Sequence, residues 1–190
     1  MKDLYLLRHG ETLFNLRKLN QGFSDSPLTE RGIKQAKKAK KFLRENDYKF
    51  DHFYSSTQER AEDTLRILTN REYIRDKRLK ERNCGIYEGV HQDITPHIFL
   101  PEEDRDAFWI SVGGETERQI SSRLMDFMKE IMEKEDHLSV LCVSHGTIIK
   151  NMLKYNNLID YDIEIGNCSM IHLNYDDGKF IFVEEIDTQK

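Results

Sequence analysis

The amino-acid sequence predicts an α/β fold: a three-layer sandwich in which a mainly parallel β-sheet carries helices on both faces. Short apolar segments alternate with amphipathic helical patterns along the chain, which is the pattern of βαβ units. The apolar segment 138–143 is continuous, as in strands that are buried on both faces of a parallel sheet. The length of 190 residues fits one domain, 1–190, whose hydrophobic core needs no disulfide or metal for stability.

The first part of the chain contains two predicted strands, each followed by a predicted helix. Segment 3–7 is apolar and ends at charged residues, as a buried strand does before a functional loop. Thr29 is a typical N-cap, and apolar residues from position 33 to 43 share one face of the helix that follows. Segment 50–54 predicts the second strand, and Thr57 is expected to cap a helix that carries Ala61, Leu65 and Leu68.

Residues 83–114 form a predicted lid-like excursion from this alternation. Helical periodicity is weak there, and Pro96, Pro101, several glycines and the acidic segment EEDRD predict a loop-rich stretch with at most short helices. Loops that lie over a rigid sheet commonly carry specificity. We therefore expect the part of the excursion at 88–114 to determine the choice of substrate.

The remaining elements complete the predicted sheet. Thr116 and Gln119 form a capping-box pattern for a helix with an apolar face from position 120 to 131. Segment 138–143 is the next strand. Segments 170–175 and 180–186 flank the turn sequence DDGK and predict a β-hairpin at the end of the chain.

The composition excludes several classes of function. Lys plus Arg number 29 and Asp plus Glu number 34, so the net charge of −5 gives no general attraction to nucleic acid or to an anionic membrane. The lysines between 34 and 41 fit a solvated helix face better than a nucleic-acid patch. No apolar stretch approaches the ~18 residues that cross a bilayer, and MKDLYLL is not a secretory signal. Three scattered cysteines predict reduced thiols in a cytoplasmic protein.

Three polar clusters follow predicted strands. They are RHG at 8–10, two serines at 55–56 with Arg60 shortly after them, and SHG at 144–146. Ligands of open parallel sheets bind beyond the carboxyl ends of the strands. We therefore expect Arg8, His9, Arg60 and His145 to meet in one pocket.

A phosphoryl group explains such a pocket. Its transfer requires dispersed positive charge around the phosphate oxygens and an in-line nucleophile, and guanidinium groups supply that charge with paired donors. A neutral imidazole of His9 or His145 can attack phosphorus and form a phosphohistidine. The carbonyl group of Gly10 is expected to hold one imidazole nitrogen protonated.

The leaving group also requires an acid, because an alkoxide departs poorly at neutral pH. Glu81 is a candidate, although the residues alone do not separate it from Glu11, Glu88 or Glu115. A metal-dependent hydrolase built on the two histidines is a poor alternative, because the clustered carboxylate ligands that it needs are not evident. No cofactor or metal is therefore expected.

Six ordered sequence blocks resemble the histidine phosphatase superfamily, the group that includes the cofactor-dependent phosphoglycerate mutases. The blocks are RHGET followed by Asn15 and Gln21-Gly22, LTERGIKQA, SSTQERAEDT, LKERNCGIYEG, GGET and VSHGTII. The resemblance covers nearly the whole chain. It implies that His9 is the phosphorylated nucleophile, that Arg8, Arg60 and His145 clamp the phosphate, and that Glu81 is the proton donor.

The resemblance extends to the rest of the site. It implies that Asn15 contacts the phosphate, that Gln21 and Gly22 line the substrate entrance, and that Thr147 donates a hydrogen bond. Glu11, Thr12 and Glu115 are expected to hold loops through hydrogen bonds rather than to take part in catalysis.

Departures from the mutases favour hydrolysis. The mutases carry an adjacent arginine pair in the excursion, whereas this chain has four acidic residues there, and Cys84 stands where the mutases have tyrosine. Weaker binding of a second substrate favours water as the acceptor. We therefore expect a metal-independent phosphatase that acts on a small phosphorylated metabolite, as a monomer or homodimer. The alternatives are a phosphoglycerate mutase and a non-catalytic protein that binds phosphorylated ligands.

Overall fold

The computed structural model describes residues 1–190, apart from the side chain of Ile98. One six-stranded sheet runs through the described residues in the order β3-β2-β4-β1-β5-β6. Its strands are β1 (Lys2–Arg8), β2 (His52–Ser56), β3 (Ile74–Asp76), β4 (Ser139–Ser144), β5 (Met170–Asp176) and β6 (Lys179–Ile186). The α-helices are α1 (Leu13–Leu16), α2 (Glu30–Glu45), α3 (Glu59–Leu68), α4 (Glu102–Ser111), α5 (Glu117–Met132) and α6 (Gly146–Tyr155). Short 3-10 turns occupy Lys77–Leu79, Gly85–Tyr87, Gln92–Ile94 and Pro96–Phe99.

The sheet is mixed and mainly parallel, as predicted. Strand β1 pairs parallel with β4, β4 pairs parallel with β2, and β2 pairs parallel with β3. The predicted hairpin of β5 and β6 adds two antiparallel strands beside β1. The carboxyl ends of β1, β2 and β4 therefore lie at one edge of the sheet.

Helices cover both faces of the sheet, which confirms the predicted three layers. Alternate residues of β1 point to opposite faces, so Leu4 and Leu6 pack with α5 and α6, while Tyr5 and Leu7 pack with α2 and α3. The predicted caps of two of these helices are present. Thr29 accepts the backbone N–H of Gly32, and Thr116 forms a reciprocal capping box with Gln119.

The predicted cap of α3 is wrong. Gln58, not Thr57, precedes the helix, and its side chain does not cap it. Asp25 of a distant loop accepts the backbone N–H of Glu59 at 2.6 Å instead. The Gln58 amide donates to the carbonyl of Gly22 at 2.8 Å and accepts the N–H of Glu81 at 2.8 Å. A tertiary contact therefore replaces the local cap.

The excursion contains more helix than predicted, because α4 has ten residues. Pro101 precedes its first turn, which carries three acidic side chains, and negative charge stabilises a helix N-terminus. The proline and the acidic residues that predicted a loop thus mark the start of a helix. Trp109 anchors this helix in the protein, with 1% of its surface exposed. Strand β3 was not predicted, because its three residues form a largely exposed edge.

Two strands begin later than predicted. Strand β2 begins at His52 rather than Phe50, and β4 begins at Ser139 because Leu138 is an exposed residue before the strand. None of the described helices combines the length and the apolar character needed to cross a bilayer.

Candidate active site

A cavity of about 780 Å³ opens beside the carboxyl end of β1 and the first turns of α3 and α6. Its walls include most of the predicted site residues: Arg8, His9, Asn15, Gln21, Gly22, Arg60, Glu81 and Thr147. His145 is fully buried directly behind this wall, and its ring centroid lies 5.1 Å from that of His9. The structure thus brings together the two arginines and two histidines that follow separate strands.

His9 is held in one tautomer at the end of β1. Its Nδ1 lies 2.7 Å from the carbonyl oxygen of Gly10, so Nδ1 carries the proton and Nε2 has the lone pair. Burial, reinforced by the charges of Arg60 and Arg8, holds the pKa of His9 well below 6.5. A neutral imidazole with a free Nε2 is the form that can attack phosphorus.

Gly10 is required by close packing behind this histidine. A Cβ atom at position 10 would lie 2.7 Å from the carbonyl oxygen of Gly32, in the first turn of α2. The loop after β1 therefore rests directly on α2. This contact fixes the backbone that orients the His9 ring.

Arg8 is anchored by a single hydrogen bond. Its Nη1 donates to the carbonyl oxygen of Ile165 at 2.6 Å, whereas its buried Nε has no partner among the described residues. A Cβ atom at Gly146 would lie 3.2 Å from the Arg8 side chain. The glycine at the start of α6 thus leaves room for the guanidinium group.

Arg60 is fully buried and joins α3 to the loop at 22–25. Its Nη1 donates to the carbonyl of Ser24 at 2.9 Å and to the carboxylate of Asp25 at 2.8 Å. Its Nη2 donates to the carbonyl of Gly22 at 3.1 Å. The Nε atom is buried without a partner among the described residues.

Glu88 fixes the same loop from the other side. Its carboxylate accepts the backbone N–H groups of Phe23 and Ser24, each at 2.7 Å, and the Ser24 hydroxyl at 2.6 Å. The Glu88 carboxylate therefore fixes the loop whose carbonyl groups bind Arg60. Glu88 positions the loop and does not line the cavity.

His145 precedes α6 and lies 2.9 Å from the Ser56 hydroxyl through its Nε2. Burial, followed by the charges of Arg60 and His9, holds the pKa of His145 well below 6.5. Its Nδ1 is buried without a partner in the described structure. An unsatisfied buried polar group costs about 1–3 kcal/mol. The Nε–H groups of Arg8 and Arg60, and Nδ1 of His145 when it carries the ring proton, therefore suit a ligand that is rich in hydrogen-bond acceptors.

Geometry separates Glu81 from the other acidic candidates. Its carboxylate accepts the N–H groups of Thr147 and Ile148 at 3.2 Å each, at the N-terminus of α6, and that of Arg82 at 2.8 Å. These bonds fix the carboxylate at the cavity wall. Glu11 and Glu115 instead bind loops and do not line the cavity, as expected.

The cavity is also lined by the other residues whose roles the resemblance implies: Asn15, Gln21, Gly22 and Thr147. The side-chain oxygen Oδ1 of Asn15 accepts the backbone N–H of Thr12 in a capping box at the start of α1, and the side-chain oxygen Oε1 of Gln21 accepts the Ser26 hydroxyl at 3.1 Å. Gly22 adopts a positive φ of 53° beside Glu88. Thr147 is exposed at the mouth of the cavity.

Several residues that line the cavity were not predicted from the sequence. Arg82, His97, Arg105 and Trp109 line the cavity from the excursion and its start. Arg82 directly follows Glu81, which was a usable signal, whereas the others depend on how the excursion folds. Cys84 also lines the cavity, but burial raises the pKa of its thiol to about 12, so it is not a nucleophile.

One group of described side chains has the spacing to hold a metal ion: His52, Asp136 and His137. It lies at the amino ends of β2 and β4, which is the opposite edge of the sheet from the cavity. The His137 ring is already engaged by the Asp136 carboxylate at 2.8 Å and by the Tyr54 hydroxyl at 2.7 Å. This group is not part of the candidate active site.

Comparisons with known proteins agree with the geometry. The sequence model of the histidine phosphatase superfamily (branch 1) matches residues 4–188. A probable phosphoglycerate mutase of Yersinia pestis (strain Pestoides F) is 29% identical over 196 residues, which cover 95% of this chain and 88% of that protein.

Solved structures show the same relationship. A phosphoglycerate mutase from Bacillus anthracis superposes with a TM-score of 0.83 at 27% identity, over 98% of this chain and 92% of that chain. A phosphoserine phosphatase mutant from Entamoeba histolytica, in complex with phosphoserine, superposes with a TM-score of 0.79 at 26% identity, over 100% and 98% of the two chains.

Proposed function

The chain belongs to the histidine phosphatase superfamily (branch 1), and on that premise we propose that it is a metal-independent phosphatase that hydrolyses small phosphomonoesters through a phosphohistidine. The observation that carries the proposal is the state of His9. Its imidazole is neutral and its Nε2 makes no hydrogen bond with the described residues. Arg8, Arg60 and His145 each have one buried nitrogen without a partner in this same part of the structure. The similar proteins are named as phosphatases and mutases, so this chain is an enzyme of phosphoryl transfer.

In the first half-reaction, Nε2 of His9 attacks the phosphorus atom. The N–P bond forms while the ester P–O bond breaks, and Glu81 gives its proton to the departing oxygen. Arg8, Arg60 and His145 donate hydrogen bonds to the phosphate oxygens, which stabilises charge that develops in the transition state.

In the second half-reaction, water attacks the phosphohistidine. Glu81, now ionised, accepts a proton from the water, the P–N bond breaks, and inorganic phosphate leaves. The same carboxylate serves as acid and then as base, so it is protonated again when the cycle ends.

The charge of the cavity supports hydrolysis over mutase chemistry. Six cationic and five carboxylate side chains line its walls: Arg8, Arg60, Arg82, Arg105, Lys150 and Lys154, with Glu81, Glu102, Glu117, Asp162 and Glu164. A mutase must hold an intermediate with two phosphate groups. The positive and negative charges of the walls nearly cancel. The cavity therefore suits one phosphate group better than two, because the carboxylates repel a second phosphate group.

The second candidate function is phosphoglycerate mutase, which the names of two similar proteins favour. A coupled assay with and without bisphosphoglycerate separates the two activities. Stimulated conversion of phosphoglycerate without release of inorganic phosphate would establish the mutase.

The proposed function is tested by a phosphate-release screen over small phosphorylated metabolites. The His9→Ala variant is the blank, so that contaminating phosphatases are subtracted. Release by the wild type that exceeds the blank is the expected result. Equal release by both proteins with every compound would refute the proposal.

A further inference from the structure

The two histidines of the candidate active site have different hydrogen-bond partners. Nδ1 of His9 lies 2.7 Å from the carbonyl oxygen of Gly10, which can only accept a hydrogen bond. Nε2 of His145 lies 2.9 Å from the hydroxyl oxygen of Ser56, which can donate or accept. The direction of this second hydrogen bond therefore decides which nitrogen of His145 carries the ring proton.

The surroundings of Ser56 determine that direction. Ser56 is the last residue of β2 and is fully buried. Its Oγ accepts the backbone N–H of Gln58 at 3.3 Å. The described residues offer the hydroxyl proton one acceptor, which is Nε2 of His145. The hydroxyl of Ser56 therefore donates to Nε2, and the proton of a neutral His145 ring lies on Nδ1.

A count of unsatisfied groups favours the same tautomer. Nδ1 of His145 is buried without a partner in the described structure. If it carries the proton, one donor is unsatisfied, and an oxygen atom of a bound phosphate group can accept it. The opposite tautomer leaves two groups unsatisfied, the Ser56 O–H and the Nδ1 lone pair, and that lone pair repels phosphate oxygens.

Both histidines are neutral, because burial and neighbouring positive charge hold their pKa values well below 6.5. Both rings then carry their proton on Nδ1, but a different nitrogen is free in each. In His9 the Gly10 carbonyl group binds the proton, which leaves the Nε2 lone pair free. In His145 the Ser56 hydroxyl binds the Nε2 lone pair, which leaves the Nδ1–H free. One tautomer thus provides a nucleophile at one histidine and a hydrogen-bond donor at the other.

We propose that Ser56 is a positioning residue that holds His145 in the Nδ1–H tautomer, which makes this histidine a hydrogen-bond donor to the phosphate group and not a second nucleophile. Ser56 does not line the cavity, so it acts through His145. The proposal rests on the proposed function, because it assumes that the phosphate group binds beside the two histidines.

Nitrogen-15 NMR of the histidine-labelled protein reads the tautomer directly. Protonated and unprotonated ring nitrogens of histidine resonate far apart, and the signals that disappear in His145→Ala belong to His145. The wild type should show a protonated Nδ1 and an unprotonated Nε2 at this residue. Ser56→Ala removes the donor to Nε2, so it should shift the proton towards Nε2 in part or in full.

Calorimetry with inorganic phosphate tests the consequence for binding. Ser56→Ala should bind phosphate about 10-fold more weakly, because one hydrogen bond to the anion is lost. Ser55→Ala is the matched control, since Ser55 is a fully buried neighbour whose hydroxyl donates to the Ser56 carbonyl oxygen at 2.9 Å and not to His145. Its phosphate affinity should equal that of the wild type. In a His145→Ala background, Ser56→Ala should have no further effect, because its partner is absent.

Four results would overturn the proposal. They are a proton on Nε2 of His145 in the wild type, an unchanged tautomer in Ser56→Ala, an equal loss of phosphate affinity in Ser55→Ala, and a Ser56→Ala effect that persists without His145. The wild-type spectrum decides even if Ser56→Ala does not fold. None of these measurements requires turnover, so failure of the phosphate-release screen would refute the proposed function and leave the assignment of Ser56 standing.

Discussion

Nδ1 of His9 lies 2.7 Å from the carbonyl oxygen of Gly10, and this hydrogen bond determines which imidazole nitrogen is free to react. The Gly10 backbone is itself fixed, because it packs against Gly32 in α2. The free nitrogen, Nε2, is therefore positioned by the scaffold before any substrate binds. Preorganisation of this kind lowers the barrier to attack at phosphorus.

Activity should survive an excess of chelator. In the proposed mechanism, Arg8 and Arg60 supply positive charge, and together with His145 they supply hydrogen bonds, at the place where a metal-dependent phosphatase uses an ion. The measurement is the rate of phosphate release before and after dialysis against EDTA. Loss of activity with EDTA and its recovery with Mg²⁺ would contradict the account.

Arg60→Ala should lower kcat/KM by on the order of 10²-fold or more. The substitution removes a hydrogen-bond donor to the phosphate group and a positive charge that stabilises the transition state. It also removes the hydrogen bonds of Arg60 to the Gly22 and Ser24 carbonyl groups and its ion pair with Asp25, so the loop at 22–25 should loosen. Arg66→Ala is the matched control, since Arg66 is an exposed arginine on the same helix. A near-wild-type value for Arg60→Ala would exclude Arg60 from the phosphate site.

The stability of the protein should fall as the pH falls below about 6.5. Burial lowers the pKa values of His9 and His145 in the folded state, so the unfolded state binds protons that the folded state does not. Each histidine lowers the free energy of unfolding by about 1.4 kcal/mol per pH unit between its unfolded and folded pKa values. Urea unfolding at several pH values measures this slope.

Substitution identifies the groups responsible for that slope. His145→Asn should flatten the pH dependence, and His91→Asn, at a half-buried position, controls for the loss of an imidazole. An unchanged slope in His145→Asn would show that its protonation is not coupled to folding.

Glu81→Gln should discriminate between leaving groups. The variant lacks the proposed acid, so it should release a poor alkoxide slowly but p-nitrophenolate at a nearly normal rate, because that leaving group needs little protonation. Phosphorylation of the enzyme by the two substrates, measured before turnover, gives the comparison. Equal slowing with both substrates would remove Glu81 from the role of acid.

Much of this site was predictable because its main residues follow strands. Arg8, His9 and His145 each sit at or just after the last residue of a parallel strand, so the topology alone brings them together. The proposed acid, Glu81, was not predictable from the residues. Glu81 and Glu88 are only seven positions apart, yet one lines the cavity and the other binds loop N–H groups.

The missed features depend on contacts between distant segments. Asp25 caps α3 across the structure, which no local pattern around Thr57 encodes. Trp109 becomes a cavity wall because α4 forms within the excursion, where we expected at most short helices. Sequence periodicity describes local structure and one buried face, so it does not reveal which excursion residues reach the site.

The most direct test of the account is to trap the phosphoenzyme. A phosphoramidate survives alkali but hydrolyses in acid, so brief mixing with substrate and an alkaline quench should leave phosphate on the protein, to be detected by mass spectrometry. His9→Ala should abolish the label, whereas His145→Ala should only slow its formation, since the nucleophile remains while one donor is lost. Label that persists in His9→Ala and disappears in His145→Ala would contradict the assignment of His9 as the nucleophile.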